Sequence, residues 1–211
     1  MNEIMPLVLF IGIGAMIDFG PLLSNPKLFL FGGAAQFGIF LTILLAAACG
    51  FSIEDAASIG IIGAADGPTS IVVAQTLKSN YVGPIMVVAY SYMALVPIIQ
   101  PAVIKLTTTK KERLIRMEYK PASVSKRTKI LFPILVTIVS GLIAPASLSL
   151  VGMLMFGNLI RECGVLNYLT DTAKDVLTNL VTLFLGITIA FTMKAENFIT
   201  VQTLMIMGLG L

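Results

Sequence analysis

Long hydrophobic stretches separated by short polar connections dominate the sequence. They fall at about 5–23, 28–52, 57–77, 84–106, 130–160, 177–193 and 201–211. Backbone amides and carbonyls cannot stay unpaired in hydrocarbon, so we expect these stretches to be helices. The pattern predicts an all-α polytopic membrane protein.

Several stretches carry signals that interrupt a helix. The third holds the string Asp66-Gly67-Pro68, and the first holds Asp18-Phe19-Gly20-Pro21. Proline inside a helix removes a backbone hydrogen bond, so we expect a break at 57–77 and further breaks at Pro97 and Pro101. Discontinuous helices recur in secondary transporters. We therefore expect a transporter-like bundle.

The fifth stretch is too long for one crossing. We expect the string Ala144-Pro145-Ala146-Ser147 to divide it into a full helix and a shorter element ending at Gly157-Asn158. The polar stretch 161–174, with apolar residues at helical spacing, predicts an interfacial helix.

Composition supports the membrane assignment. Hydrophobic residues make up 57% of the 211 residues and charged residues only 12%, against roughly 25% charged in soluble domains. A soluble globule of this size needs a polar shell that this chain lacks. The chain contains no His, so a His-ligated metal site or a His general base within it is excluded.

Basic residues concentrate in one connection. Nine Lys and Arg residues lie there: Lys105, Lys110, Lys111, Arg113, Arg116, Lys120, Lys126, Arg127 and Lys129. Nucleic-acid binding is one use of such a run, but long apolar flanks favour a cytoplasmic loop. We expect a basic loop at 107–129 between membrane regions 1–106 and 130–211. We also expect the last segment to be truncated, because 201–211 is about half of the ~20 residues that a crossing needs.

Asp66 is the strongest candidate for function. An acid inside an apolar segment is expensive and usually marks an ion or proton path. Its carboxylate, carbonyls freed by the break and the hydroxyls of Thr69 and Ser70 are hard oxygen ligands that suit a small alkali cation. The alternative is that Asp66 only caps the helix that begins near Pro68. Both roles are compatible.

Other polar residues in apolar surroundings are weaker candidates. Asp18 lies nearer the end of its segment, where capping and an ion path are equally reasonable. Tyr92 lies mid-segment, which predicts a hydrogen bond inside the bundle, and Ser91 and Gln100 lie on the same segment. Asn158 could join a buried polar cluster with its neighbours Arg161 and Glu162.

The sequence resembles the beta subunits of the sodium-pumping biotin-dependent decarboxylases that act on oxaloacetate, methylmalonyl-CoA, malonyl-CoA or glutaconyl-CoA. Four strings carry the resemblance, in the family's order: Gly12-Ile13-Gly14-Ala15-Met16-Ile17-Asp18-Phe19-Gly20-Pro21-Leu22, Ala57-Ser58-Ile59-Gly60-Ile61-Ile62-Gly63-Ala64-Ala65-Asp66-Gly67-Pro68-Thr69, Ala89-Tyr90-Ser91-Tyr92-Met93-Ala94-Leu95-Val96-Pro97-Ile98-Ile99-Gln100-Pro101 and Phe156-Gly157-Asn158-Leu159-Ile160-Arg161-Glu162-Cys163-Gly164.

The resemblance implies a subunit that decarboxylates carboxybiotin and exports sodium across the bacterial inner membrane. The family's sodium-binding aspartate falls on Asp66 and its functional tyrosine on Tyr92, so we expect Asp66, Thr69 and Tyr92 to hold sodium. Implied partners are a carboxyltransferase alpha subunit, a biotin carrier, a small gamma membrane subunit and further copies of the chain. Asp66 would alternate between holding sodium and holding a proton.

The chain departs from the family in two respects. Ala65 stands where the family commonly has Gly, which matters only if that backbone needs a positive φ. The family's first spans are missing, as are the Asn-Pro and Gly-Pro-Asn segments that complete its sodium sites across an inverted repeat. We therefore expect a fragment of such an architecture.

Two other functions compete with this one. A sodium-coupled transporter of an organic anion would use the same broken helices without decarboxylase chemistry. A non-catalytic membrane scaffold would not explain an acid at the depth of Asp66.

Overall fold

The computed structural model describes residues 4–64, 66–116, 124–192 and 200–210, which form helices and turns and no β-strand. They divide into two compact units. The first comprises Met1–Phe31 with Ala122–Lys194, and the second comprises Gly32–Pro121 with Ala195–Leu211. The helical prediction is confirmed for the described residues.

The first unit is formed by helices from both of its chain segments. Its elements are α1 (Ile4–Met16), α2 (Gly20–Ser24), α8 (Lys126–Ile143), α9 (Leu148–Cys163), α10 (Asn167–Asp171), a π-helical stretch at Thr172–Leu177 and α11 (Thr178–Thr192).

Glycines let α1 lie directly against α9. A Cβ at Gly14 would overlap the carbonyl oxygen of Leu154, and a Cβ at Gly157 would overlap that of Ile11. Backbones that approach this closely pack well without a hydrophobic driving force, as helix pairs in membranes must.

Proline and glycine set the ends of α9. A short 3₁₀ turn at Pro145–Ser147 separates α8 from α9, as the sequence predicts. The predicted end at Gly157-Asn158 is wrong. The helix continues to Cys163, and Gly164 ends it in the left-handed region at φ 69°, which glycine adopts without steric cost.

The second unit surrounds the break at Asp66. Its elements are α3 (Phe29–Ala48) from Gly32 onward, α4 (Ile53–Gly60), a 3₁₀ turn at Ile61–Ala64, α5 (Gly67–Thr76), α6 (Val82–Thr107), α7 (Lys110–Arg113) and α12 (Val201–Gly210). Its buried core includes Ile59, Ile62, Ile85 and Ile206.

The long helix α6 bends by 61° between Val82–Met93 and Leu95–Thr107. The predicted breaks at Pro97 and Pro101 are misplaced, because both prolines lie inside the helix. A proline clashes with the carbonyl four residues before it. For Pro97 that residue is Met93, which is where the bend occurs.

Among the described residues, one helix has the length and hydropathy to cross a bilayer, and a second stretch does if its two bent halves are one span. One is the single helix Pro26–Ala48, with mean hydropathy 2.1, and the other is the bent helix α6 counted as one span. Only 6% of the helix 26–48 window is buried within the chain, so nearly all of this apolar surface faces outward. The helices α1 and α12 are shorter apolar helices.

Candidate functional site

Asp66 caps the helix α5. Its backbone is extended (φ −121°, ψ 96°), and its Oδ1 accepts a hydrogen bond from the backbone N–H of Thr69 at 3.3 Å. The Thr69 hydroxyl donates to Oδ2 at 2.6 Å, and the Ser70 hydroxyl donates to the Asp66 carbonyl at 2.9 Å. The capping role is confirmed, and it brings Asp66 and Thr69 together. Ala65 lies outside the described residues.

The segment from α4 to α5 is a hairpin with Asp66 at its tip. At its base, Asp55 accepts hydrogen bonds from the Ser79 hydroxyl at 2.7 Å and the Asn80 backbone N–H at 2.9 Å. The start of α4 therefore lies beside the end of α5. At 1.5 Å per residue, α5 is about 15 Å long, half of a ~30 Å hydrocarbon core. The segment therefore doubles back at Asp66 as a helical hairpin.

Two residues of α6 close the tip of the hairpin. The backbone N–H of Gly67 donates to Sδ of Met93 at 3.1 Å. The Tyr90 ring lies so close that a Cβ at Gly67 would be 2.9 Å from its Cζ and 3.0 Å from its Cε2. Glycine is therefore required here for close approach and not for a positive φ.

No cationic side chain of the described residues pairs with Asp66. Nor do three or more Cys, Asp or Glu residues of the described ranges cluster as a metal site. A cation bound here would use the carboxylate together with hydroxyl and carbonyl oxygens, a donor set that suits a hard cation.

Tyr92 is placed by a different contact. Its hydroxyl donates to the carbonyl of Met207 in α12, which confirms the predicted bond inside the bundle. The structure shows no hydrogen bond from Tyr92 to Asp66. Tyr92 and Gln100 instead line one cavity of about 280 Å³, together with Ile62 and Gly63. Ser91 is exposed, and its hydroxyl donates to the backbone carbonyl of Val87 in the same helix at 2.7 Å.

Asp18 lies in a charge cluster of the first unit. Oδ1 accepts a hydrogen bond from Gly20 N at 2.8 Å and lies 3.4 Å from Nζ of Lys129. Its Oδ2 lies 3.9 Å from Arg161, which also pairs with Glu162 at 3.9 Å. Asp18 thus bonds the first residue of α2, although the N-cap position of that helix is Phe19, and two cations compensate its charge.

Asn158 is fully buried and bonds the end of α1. Its Nδ2 donates to the carbonyls of Ile17 at 2.8 Å and Gly14 at 3.3 Å. These carbonyls lack helical partners because α1 ends at Met16. Asn158 and Asp18 belong to the first unit, whereas Asp66, Thr69, Ser91, Tyr92 and Gln100 belong to the second.

Sequence reasoning missed Asp55. It is 4% exposed, and its carboxylate also accepts hydrogen bonds from the side chains of Ser52 and Asn80. Burial raises the pKa of this carboxyl, but the bonds from Ser79, Asn80 and Ser52 outweigh burial and hold it below the ordinary value of 3.8. The spacing Ser52-x-x-Asp55 marks a helix start, but its partners 24 and 25 residues away give no local signal.

Comparison with known proteins gives consistent matches. The family model for the Na+-transporting oxaloacetate decarboxylase beta subunit matches residues 1–211. The methylmalonyl-CoA decarboxylase subunit beta of Propionigenium modestum is 57% identical over 209 residues, which cover 99% of this chain and 53% of that protein.

Two further relatives are similar over the same stretch. The glutaconyl-CoA decarboxylase subunit beta of Acidaminococcus fermentans is 51% identical, covering 99% of this chain and 56% of that protein. The oxaloacetate decarboxylase beta chain of Klebsiella pneumoniae is 50% identical, covering 99% of this chain and 49% of that protein. The chain thus spans about half the length of these relatives.

Proposed function

Because the chain belongs to the family of Na+-transporting oxaloacetate decarboxylase beta subunits, we propose that it works, within the complete protein, in the decarboxylation of carboxybiotin coupled to sodium export. The names of the relatives, decarboxylases of methylmalonyl-CoA, glutaconyl-CoA and oxaloacetate, support this function over transport of an organic anion without chemistry.

Asp66 is the proposed sodium ligand, and the observation that carries the proposal is that no Lys or Arg of the described residues pairs with it. A carboxylate at the tip of an apolar hairpin needs a positive charge nearby, or a proton. The described residues supply neither Lys nor Arg to it. The hydroxyl of Thr69 lies 2.6 Å from the carboxylate and supplies a second oxygen ligand. In the complete protein, the hydroxyl of Tyr92 would supply a third.

The position of the hairpin supports exchange of sodium for a proton. If its base lies at the membrane surface, α5 carries Asp66 about 15 Å inward, close to the midplane. Release of CO₂ from carboxybiotin breaks the N–C bond, and the ring nitrogen then takes up one proton. Asp66 can hold a proton after sodium leaves, which would tie the proton consumed to the sodium ion moved.

The family supports further proposals about the assembly. Biotin would arrive on a carrier, the alpha subunit would choose the organic acid, and a small gamma subunit and further copies of this chain would complete the complex in the inner membrane. We place residues 107–129 on the cytoplasmic side between membrane regions 1–106 and 130–211. An inverted-repeat architecture would supply the remaining sodium ligands, and Ser91 and Gln100 remain outer candidates for the ion path. Asp18 and Asn158 have structural roles in this proposal, because Lys129 and Arg161 compensate Asp18 and Asn158 bonds the end of α1.

Replacement of Asp66 in the complete complex tests the function. Asp66→Asn keeps the size and the cap but removes the charge. We expect sodium-dependent release of CO₂ from carboxybiotin to fall more than ~100-fold, since even changes to groups behind a metal ligand cost 10–100-fold.

Asp171→Asn is the matched control. In the described part of the chain this exposed carboxylate pairs with Lys174 alone, at 3.0 Å, and its loss should leave the rate unchanged. Full sodium-dependent activity in Asp66→Asn would refute the proposed function.

A further inference from the structure

A buried hydroxyl beside the hairpin tip has no hydrogen-bond partner. The Oη atom of Tyr90 is shielded from solvent and bonds to nothing in the described part of the chain. Tyrosine hydroxyls that are buried usually find a partner, because an unpaired hydroxyl costs free energy in an apolar environment. Phenylalanine would fill the same space with the same ring, so the hydroxyl oxygen needs an explanation.

The position of Tyr90 points toward Asp66. Its Cζ, which carries the hydroxyl, is one of the atoms that a Cβ at Gly67 would overlap at 2.9 Å. The hydroxyl oxygen is one bond beyond Cζ and therefore lies beside the residue that follows Asp66.

The Asp66 carboxylate and the Tyr90 hydroxyl at the hairpin tip could be satisfied by the same cation. The carboxylate of Asp66 has no cation among the described residues, and the phenol oxygen has no partner. We propose that Tyr90 supplies a further oxygen ligand to the cation held by Asp66. A phenol oxygen offers lone pairs as a hydroxyl does, and a small hard cation takes several such oxygens.

The same geometry gives Tyr90 a role when sodium is absent. The phenol O–H can then donate to the Asp66 carboxylate, so the hydroxyl is satisfied in both states of the site. Tyr92 cannot do this in the same way, because its hydroxyl is already bonded to Met207. The role of Tyr90 rests on the proposed sodium site at Asp66.

Tyr90→Phe in the complete protein tests the proposal, because it removes one oxygen and leaves the ring against Gly67. We expect the sodium concentration for half-saturation to rise about tenfold, the effect of one lost bond to a charged group. Binding of radioactive sodium to the purified protein gives this value independently of activity.

The matched control is Tyr81→Phe. Tyr81 lies in the same unit and packs edge-on against Phe51 with ring centroids 5.5 Å apart, so it loses a hydroxyl away from the hairpin tip. Its sodium affinity should equal that of the unmodified protein.

Thermal unfolding separates a ligand from a packing residue. Without sodium, Tyr90→Phe should unfold at the same temperature as the unmodified protein or higher, and sodium should raise this temperature less. Equal sodium affinity in Tyr90→Phe, with Asp66→Asn abolishing binding, would overturn the role of Tyr90 alone. Unchanged binding in Asp66→Asn would instead refute the proposed function.

Discussion

The chain contains two helix breaks of the same composition that differ in their electrostatic surroundings. Both place an aspartate before glycine and proline, and both aspartates accept a backbone hydrogen bond, from Gly20 for Asp18 and from Thr69 for Asp66. Asp18 has Lys129 at 3.4 Å and Arg161 at 3.9 Å. Asp66 has hydroxyl and N–H donors but no described cation.

The difference shows what the common pattern does and what it leaves open. In both breaks the acid accepts a backbone hydrogen bond at the start of the next helix, whatever the neighbours are. The surrounding helices decide whether the charge is neutralised by the protein or left for a mobile cation. The first break is therefore structural, and the second is the proposed site.

The glycines of the two breaks should respond differently to a methyl group. Gly67→Ala would push against the Tyr90 ring, and overpacking of this kind costs about 1–3 kcal/mol. At Gly20 the added atom would meet the ends of the Asp18 and Lys129 side chains at 3.0 and 3.1 Å, which can move. We expect Gly67→Ala to lower both stability and sodium affinity, and Gly20→Ala to change neither appreciably. Thermal unfolding with and without sodium measures this; a larger loss in Gly20→Ala would reverse the comparison.

The buried amide of the first unit should matter for stability and not for sodium. Asn158→Leu would leave the carbonyls of Gly14 and Ile17 without its donors, at a cost of about 1–3 kcal/mol. Asn179→Leu, at an exposed amide, is the control. Chemical unfolding and sodium titration are the measurements, and a selective loss of sodium affinity in Asn158→Leu would assign the first unit to the ion site.

The base of the hairpin should make stability depend on pH in the acid range. The pKa of Asp55 is lower in the folded state than its ordinary value of 3.8. Its stabilisation is therefore present above that ordinary value and is lost as the pH falls through the folded pKa. We expect Asp55→Asn to be less stable near neutral pH and to show a shallower acid decline. Unfolding measured between about pH 2 and pH 7 checks this, and an unchanged acid limb would contradict it.

The ion pairs of Asp18 should contribute least to the free energy of unfolding. Lys129 and Asp18 are partly exposed, at 27% and 45% of their side chains, so we expect Lys129→Met to cost only about 0.2–1 kcal/mol. Salt should weaken the effect. Comparison of unfolding at low and high ionic strength, with Lys27→Met as control, tests it; a loss of sodium binding would contradict a structural role.

Local signals made the helix breaks predictable. Contacts between residues far apart in the chain were not predictable. Gly67 and Pro68 predicted the break and the cap at Asp66, since both follow from backbone geometry. The bend of α6 also follows from Pro97, although it lies one turn earlier than expected. No local pattern predicts that Asp18 pairs with Lys129, 111 residues away. Nor does any predict that Asp55 bonds Ser79 and Asn80 at the base of the hairpin.

In the candidate site, too, the local contacts were predictable from the sequence and the distant ones were not. The acid and the Thr69 hydroxyl are three residues apart on one cap, so their meeting follows from the sequence. The approach of Tyr90 to Gly67 depends on the packing of α6 against the hairpin, which no spacing records. The sequence pattern favoured Tyr92, whose hydroxyl the structure assigns to Met207.

The central claim is that Asp66 binds sodium and Asp18 does not. A hydrophobic carbodiimide, which modifies protonated carboxyl groups, can be applied to the complete protein in membranes with and without sodium, followed by mass spectrometry of the two peptides. We expect modification at Asp66 that sodium suppresses, and none that depends on sodium at Asp18, where Lys129 and Arg161 hold the charge. Sodium protection at Asp18, or sodium-independent modification of Asp66, would contradict the account.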